Sequence, residues 1–192
     1  MNKDLRIKKL ENEILDLKKL VYRDELTGLY NRRGFKDEAT PFLNESNSFE
    51  KFKNKRKSIV IKNFSLILFD IDNFKKINDT YGHPAGDMVI QFVSQIIEDR
   101  VRELDLVARW GGEEIIVGLP GANLDDAFKI ADDIREKISK TSLKYGDKEI
   151  RLTLSGGISS SGRDKLEMLI QKADEALYEA KNSGKNKIVK SK

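Results

Sequence analysis

Apolar residues follow two rhythms along this chain, and the change from one to the other marks out its elements. Ile7, Leu10, Ile14, Leu17 and Val21 recur at spacings of 3, 4, 3 and 4, with Lys, Glu and Asp filling the gaps. That is a heptad seam of about two and a half repeats. It belongs either to an amphipathic helix packed on its own domain or to a parallel coiled coil pairing two chains, since so short a helix is marginal alone. Asp24 to Asn31 reads as a turn. Arg32 opens a helix expected to fade near Leu43, before the polar breaker Asn44-Glu45-Ser46-Asn47-Ser48. A basic run, Lys51 to Lys57, precedes Ile59-Val60-Ile61. Two readings stand here: an extra strand from Ser58 to Ile61 turning at Lys62-Asn63, or a solvated loop.

Beyond this point the pattern alternates. The run Phe64 to Phe69, apolar but for Ser65, predicts a buried strand, followed by a short helix from Phe74 to Thr80 and a longer one from Gly86 to about Glu103. Strands Leu106 to Trp110 and Ile115 to Leu119 flank a Gly-Gly turn. Ala127, Ile130, Ala131, Ile134 and Ile138 share one face of a helix from Leu124 to Lys140. A strand from Ile150 to Ser159, a helix from Asp164 to Lys181 and a short strand at Ile188-Val189 complete the series. The order predicts an α+β sheet with antiparallel pairs.

Composition narrows the class. The 192 residues suffice for one domain of ordinary size (24–192) with a helical stalk before it (1–23). The absence of cysteine excludes disulfides and thiolate metal sites. No apolar stretch approaches the roughly 20 residues of a membrane span, and no signal peptide is visible, so a cytoplasmic protein is expected. Lys and Arg number 36 against 32 Asp and Glu, a net charge of +4. So mixed a balance marks a solvated surface rather than a nucleic-acid interface, and its slight basic excess suits polyanionic small ligands.

The chemistry concentrates in Arg109-Trp110-Gly111-Gly112-Glu113-Glu114 and in Asp70-Ile71-Asp72. Glycines in the turn admit positive φ and a close ligand, and the glutamates leave the turn where they can face it. Asp70 ends the Phe64 strand. Carboxylates at neighbouring strand ends beside such a turn suit a hard cation and a phosphate.

These residues carry a family resemblance. Gly111-Gly112-Glu113-Glu114-Ile115 resembles the signature of the GGDEF domains, the bacterial diguanylate cyclases. Phe69 to Asp87 matches a second signature, Asp24-Glu25-Leu26-Thr27-Gly28-Leu29-Tyr30-Asn31-Arg32-Arg33 an opening motif, and Ala176 to Asn186 a closing one. The four motifs stand in the family's order and span about Asp24 to Val189. Ile115 departs from the commonest signature, which has Phe there.

The resemblance implies a ferredoxin-like βαββαβ core with additions. It also implies an activity, the condensation of two GTP into cyclic di-GMP with loss of diphosphate, in a homodimer whose subunits each hold one GTP. Two Mg²⁺ or Mn²⁺ ions per site are expected, ligated by Asp70, the Ile71 carbonyl and Glu113, with Glu114 assisting. Glu113 is the candidate general base. Asn78 and Asp87 fall to guanine, His83 lies by the nucleotide, and Gly111 and Gly112 admit it. Lys75, Lys181, Lys185 and the amides of Asn73 and Phe74 fall to phosphate. Lys185 stands where arginine is frequent, giving a point charge in place of a fork. For Asp72 a helix-capping carboxylate is favoured over a ligand.

Arg102-Glu103-Leu104-Asp105 matches the family's inhibitory product site, with Arg109 on the same surface; a helix-ending salt bridge is the plainer reading of that element. Two competing functions remain. One is a catalytically weak cyclic di-GMP-binding module using Arg102 and Asp105. The other is a dimerisation module built on the N-terminal seam, which leaves the acidic site unexplained. In this family such a seam commonly links an upstream sensor to the catalytic domain.

Overall fold

The computed structural model describes residues 6–9, 13, 20–49, 61–162 and 164–192. Residues 6–9, 13 and 20–22 are helical. Leu10, Ile14 and Leu17 of the seam lie outside the described residues, as do Ser58 to Val60, whose strand-or-loop choice stays open; Ile61 belongs to no strand.

Twelve elements follow: α1 (Arg32–Phe49), β1 (Phe64–Ile71), α2 (Phe74–Tyr81), α3 (His83–Glu98), β2 (Leu106–Gly111), β3 (Glu114–Pro120), α4 (Leu124–Lys140), β4 (Ser142–Tyr145), β5 (Lys148–Arg151), β6 (Leu154–Ser160), α5 (Leu166–Asn182) and β7 (Ile188–Lys190). The main sheet has the order β2-β3-β1-β6-β7, with β1 antiparallel to both β3 and β6. Four of its strands make the expected ferredoxin-like βαββαβ core, and β7 adds a parallel edge beside β6.

Successive side chains of a strand point to opposite faces, so β1 serves two cores. Ile67, Phe69 and Ile71 join Val89, Val93, Ala131 and Ile134 on the α3/α4 side. Phe64, Leu66 and Leu68 join Phe35, Ala39, Leu169 and Leu177 on the α1/α5 side. Burial on both faces explains why β1 reads as a nearly continuous apolar run, broken by Ser65 and Asp70, rather than an alternating one. The same parity puts Asp70 on the α5 side, opposite Glu114 in the β1–β3 register. Ile115, the departure from the family signature, is fully buried in the α3/α4 core.

Three expectations need correction. First, α1 does not fade at Leu43 but runs to Phe49. Its polar end is held by tertiary bonds: Ser46 Oγ lies 3.0 Å from Ser161 Oγ, and Asn47 Nδ2 donates to the Asp164 carbonyl at 3.1 Å. Propensity yields to such contacts. Second, the long helix begins at His83 and stops at Glu98, with Pro84 in its first turn, where a missing N–H costs nothing. Third, Ile150 to Ser159 is not one strand. A hairpin, β4–β5, ends at Arg151, and β6 begins at Leu154. Between them Thr153 turns aside to bond Asp72, its carbonyl accepting from the Asp72 amide at 2.9 Å.

Candidate active site

The exits of β1 and α5 and the β2–β3 turn meet at one mouth. Gly111 pairs with Glu114, leaving Gly112 and Glu113 as a two-residue hairpin loop. Gly112 has φ +43°, a conformation that a side chain would strain, and nothing lies within 4 Å of where its Cβ would be. Arg109 fixes this loop from behind. Its Nε donates to the Gly112 carbonyl at 2.9 Å, and its Nη1 pairs with Asp24 at 3.2 Å. Arg109 is therefore committed to the turn and to the opening motif, rather than lying free on a product-binding surface.

From α5, Asp174, Tyr178 and Lys181 line an open cleft of about 330 Å³ together with Asp70 and Glu114. Burial pushes the Asp70 carboxyl above its usual range, with Glu113 and Asp72 adding repulsion against the pull of Lys181. Burial also raises Glu114, reinforced by Asp70, Asp174 and Glu113 and opposed by Arg32. Surplus negative charge in partly desolvated surroundings favours a cation. One cationic group is there already: the Lys181 ammonium donates to Asp70 Oδ1 and lies 3.4 Å from the Ile71 carbonyl oxygen. Among the described residues no three acidic or histidine side chains converge tightly enough to enclose a metal by themselves. Asp70, Ile71, Glu113 and Glu114 thus share a neighbourhood, not a closed cage. The donor set nonetheless fits a hard divalent ion, being carboxylate and carbonyl oxygens with a positive group seated on two of them.

Asp72 is not a helix cap. Asn73 is the residue before α2, in a left-handed conformation at φ 57° and ψ 30°, and its side chain caps nothing. The Asp72 side chain is instead wholly buried and accepts from Thr153 Oγ1 at 2.7 Å, Ser155 Oγ at 2.7 Å and the Asn186 amide at 2.9 Å. It also lies 3.2 Å from the Lys181 ammonium. Through Asn186 it secures the left-handed turn Lys185-Asn186, and Lys185 Nζ donates to Asn73 Oδ1 at 2.6 Å. Neither the Asp72 clamp nor Asp174 stands out in the sequence. Only the recurrence of Asp174, Tyr178 and Lys181 at helical spacing hints at a second functional stripe.

The α2–α3 pair bears the remaining candidates. Asn78 Oδ1 is buried with no hydrogen-bond partner, and buried polar atoms are seldom left so. It packs against Gly86, where an added Cβ would lie 1.9 Å from it. Only glycine leaves that oxygen its place. Lys75, His83 and Asp87 of the same pair are exposed, and Phe74 is half-buried.

At the far end of α3, Asp105 Oδ2 accepts from the Arg102 amide at 2.8 Å, and the Asp105 amide donates to the Arg102 carbonyl at 2.9 Å. The element is closed by one bond from the Arg102 amide to the carboxylate and one between main chains, not by a salt bridge, and burial raises the Asp105 carboxyl. The Arg102 guanidinium makes no hydrogen bond or ion pair among the described residues.

A strand-end carboxylate beside a Gly-Gly-Glu-Glu hairpin on a ferredoxin-like sheet has a counterpart among known proteins. The family described as "Diguanylate cyclase, GGDEF domain" matches residues 21–187. The chain belongs to the GGDEF family. Diguanylate cyclase A of Treponema denticola is 43% identical over 130 residues, covering 67% of this chain and 35% of that protein. Diguanylate cyclase DgcM of Escherichia coli K12 is 36% identical over 183 residues, covering 95% of this chain and 40% of that protein. The chain therefore spans well under half the length of these curated relatives. Its fold matches the coiled coil and GGDEF domain of Caulobacter crescentus DgcB, a structure in complex with c-di-GMP, with a TM-score of 0.85. Identity there is 26%, over 98% of this chain and 95% of that one. No helix among the described residues is long and apolar enough to cross a membrane.

Proposed function

We propose that this GGDEF domain is a diguanylate cyclase, condensing two GTP into cyclic di-GMP and two diphosphates in the bacterial cytoplasm. The observation that carries the reading is the shared mouth, where Asp70, the Ile71 carbonyl and the Gly111–Glu114 hairpin stand beside Lys181 and Lys185. In each of two half-reactions a 3′-hydroxyl loses its proton and its oxygen bonds to the other nucleotide's α-phosphorus. The bond from that phosphorus to the bridging oxygen breaks, and diphosphate leaves.

Glu113, on the outgoing side of the loop, takes the hydroxyl proton. Asp70, the Ile71 carbonyl and Glu113, with Glu114 assisting, would hold Mg²⁺ or Mn²⁺, two ions per site. Such ions, when bound, neutralise charge on the attacking and leaving oxygens. Lys75, Lys181, Lys185 and the amides of Asn73 and Phe74 receive phosphate oxygens. The unpartnered Asn78 oxygen and the exposed Asp87 carboxylate are suited to the donor edge of guanine, with His83 beside the nucleotide. The open hairpin at Gly111 and Gly112 lets the nucleotide approach the main chain. One mouth holds one GTP, so the reaction needs two domains face to face, and the stalk 1–23 would pair them.

A second reading is favoured by one observation. The Arg102 side chain, presented by a turn closed through Asp105, suits recognition of a guanine edge and a phosphate, as in the family's inhibitory product site. By itself that would make a cyclic di-GMP-binding module with weak catalysis; beside an active mouth it would make product feedback. Purified protein incubated with Mg²⁺ and an equal mixture of GTP and ATP decides between these readings. A cyclase of this design yields the guanine dinucleotide in large excess, because adenine leaves Asp87 unpaired. Comparable adenine-containing products would refute the guanine assignment, and binding of cyclic di-GMP without turnover would favour the module.

A further inference from the structure

Lys181 reaches the mouth of β1 from the last turn of α5. Its ammonium donates to Asp70 Oδ1, lies 3.4 Å from the Ile71 carbonyl oxygen and stands 3.2 Å from Asp72 Oδ1. Two of these three partners are the groups assigned above to the metal. An ammonium and a divalent cation cannot both sit on the same carboxylate oxygen in a partly desolvated pocket, because their repulsion grows as the dielectric falls.

We infer that Lys181 is a resident counter-ion, which a divalent metal must displace from Asp70 and Ile71 and which the nucleotide's phosphates then receive. The inference rests on the metal site proposed above. Lysine suits an exchange of this kind, being a point charge on a flexible four-carbon stem. The cleft it borders, lined also by Asp70, Glu114, Asp174 and Tyr178, is open. Lys185 differs. Its ammonium rests on the neutral Asn73 amide oxygen, so no ion pair is lost when it turns to phosphate.

A coupling follows. Metal alone must break the Lys181–Asp70 pair and leave the ammonium to Asp72 alone, whereas metal arriving with a triphosphate gives the ammonium a new partner. Metal and nucleotide therefore bind with positive cooperativity, part of which passes through Lys181, and the effect is reciprocal.

The test reads Mn²⁺ binding directly, by the electron paramagnetic resonance signal of the free ion, with no turnover. Lys181→Met should bind Mn²⁺ alone more tightly than wild type, by about tenfold. Saturating 3′-deoxy-GTP, which lacks the attacking hydroxyl, should strengthen Mn²⁺ binding in wild type and do so much less in the variant. Lys181→Arg, which keeps the charge, should bind Mn²⁺ alone within about threefold of wild type. Lys181→Gln repeats the test should the methionine variant fail to fold. Unchanged or weaker Mn²⁺ binding in the uncharged variants overturns the inference. Asp70→Asn separates the two levels. If it abolishes Mn²⁺ binding while Lys181→Met does not tighten it, the exchange alone is wrong. If Asp70→Asn binds Mn²⁺ like wild type, the metal site itself is misplaced and the inference falls with it.

Discussion

Replacing Asp72 by asparagine changes one atom and should cost more stability than most surface truncations. The carboxylate receives two donors on Oδ2, Thr153 Oγ1 and the Asn186 amide, and two on Oδ1, Ser155 Oγ and the Lys181 ammonium. An asparagine must turn its NH₂ toward one of those pairs. Either hydroxyl can rotate and accept from it. The Asn186 amide and the Lys181 ammonium cannot, since neither carries a lone pair for the purpose. Whichever way the side chain turns, one obligate donor faces another. The less costly choice turns NH₂ toward Lys181, whose ammonium keeps Asp70, and the weakened bonds to a formerly charged acceptor then cost about 1.5–3 kcal/mol. Asp72→Ala removes the charge and every acceptor at once, which for a buried partner costs about 3–5 kcal/mol. Urea unfolding followed by far-ultraviolet circular dichroism measures both. With a slope of about 1–3 kcal/mol per molar urea, the asparagine midpoint should fall by roughly 1–2 M without a change of slope. A midpoint within about 0.2 M of wild type would refute the claim that these four donors depend on an anion.

Two further outcomes are expected elsewhere. Glu114→Gln should stabilise the fold at neutral pH. The folded carboxyl titrates above its ordinary value of 4.5, first because of burial and then through Asp70, Asp174 and Glu113, so ionisation opposes folding. The gain should shrink as pH falls through the raised folded value and vanish below 4.5, which melting curves across pH would show; a gain that persisted in acid would contradict the electrostatic cause. Leu10→Asp with Leu17→Asp should place charge in the heptad seam and separate the chains. Activity per enzyme should then drop at low concentration and recover at high concentration, an effective-concentration effect. Full activity of a monomer at nanomolar enzyme, with sedimentation velocity run alongside, would assign the seam to packing within one chain.

How much could be read in advance depended on the range of the interactions. The Phe64 to Phe69 run and the Leu124 to Lys140 stripe declared themselves because burial on both faces demands a nearly continuous apolar strand and burial of one helical face demands a period. The Gly111–Glu114 hairpin was equally plain, since positive φ selects glycine. What stayed hidden was set by partners distant in sequence. The end of α1 persists because Ser46 and Asn47 meet Ser161 and Asp164, more than a hundred residues on. Asp72 looked like a cap because an acid before a helix commonly is one, whereas its donors come from Thr153, Ser155 and Asn186. Arg109 looked like part of the Arg102 surface by nearness along the chain, but the strand turns it to Asp24 and Gly112. The β4–β5 hairpin was missed because its short, half-exposed strands lack an apolar period.

The central claim is that this mouth joins two GTP molecules and that Glu113 takes the attacking proton. Its most direct test is a single time course with purified protein, Mg²⁺ and GTP, following the dinucleotide by chromatography and the diphosphate by a coupled assay, with Glu113→Gln run in parallel. Wild type should release two diphosphates for each cyclic di-GMP formed, while the correctly folded glutamine variant forms neither. Product from Glu113→Gln at near wild-type rate, or intact GTP beside a wild-type protein that still binds cyclic di-GMP, would contradict it.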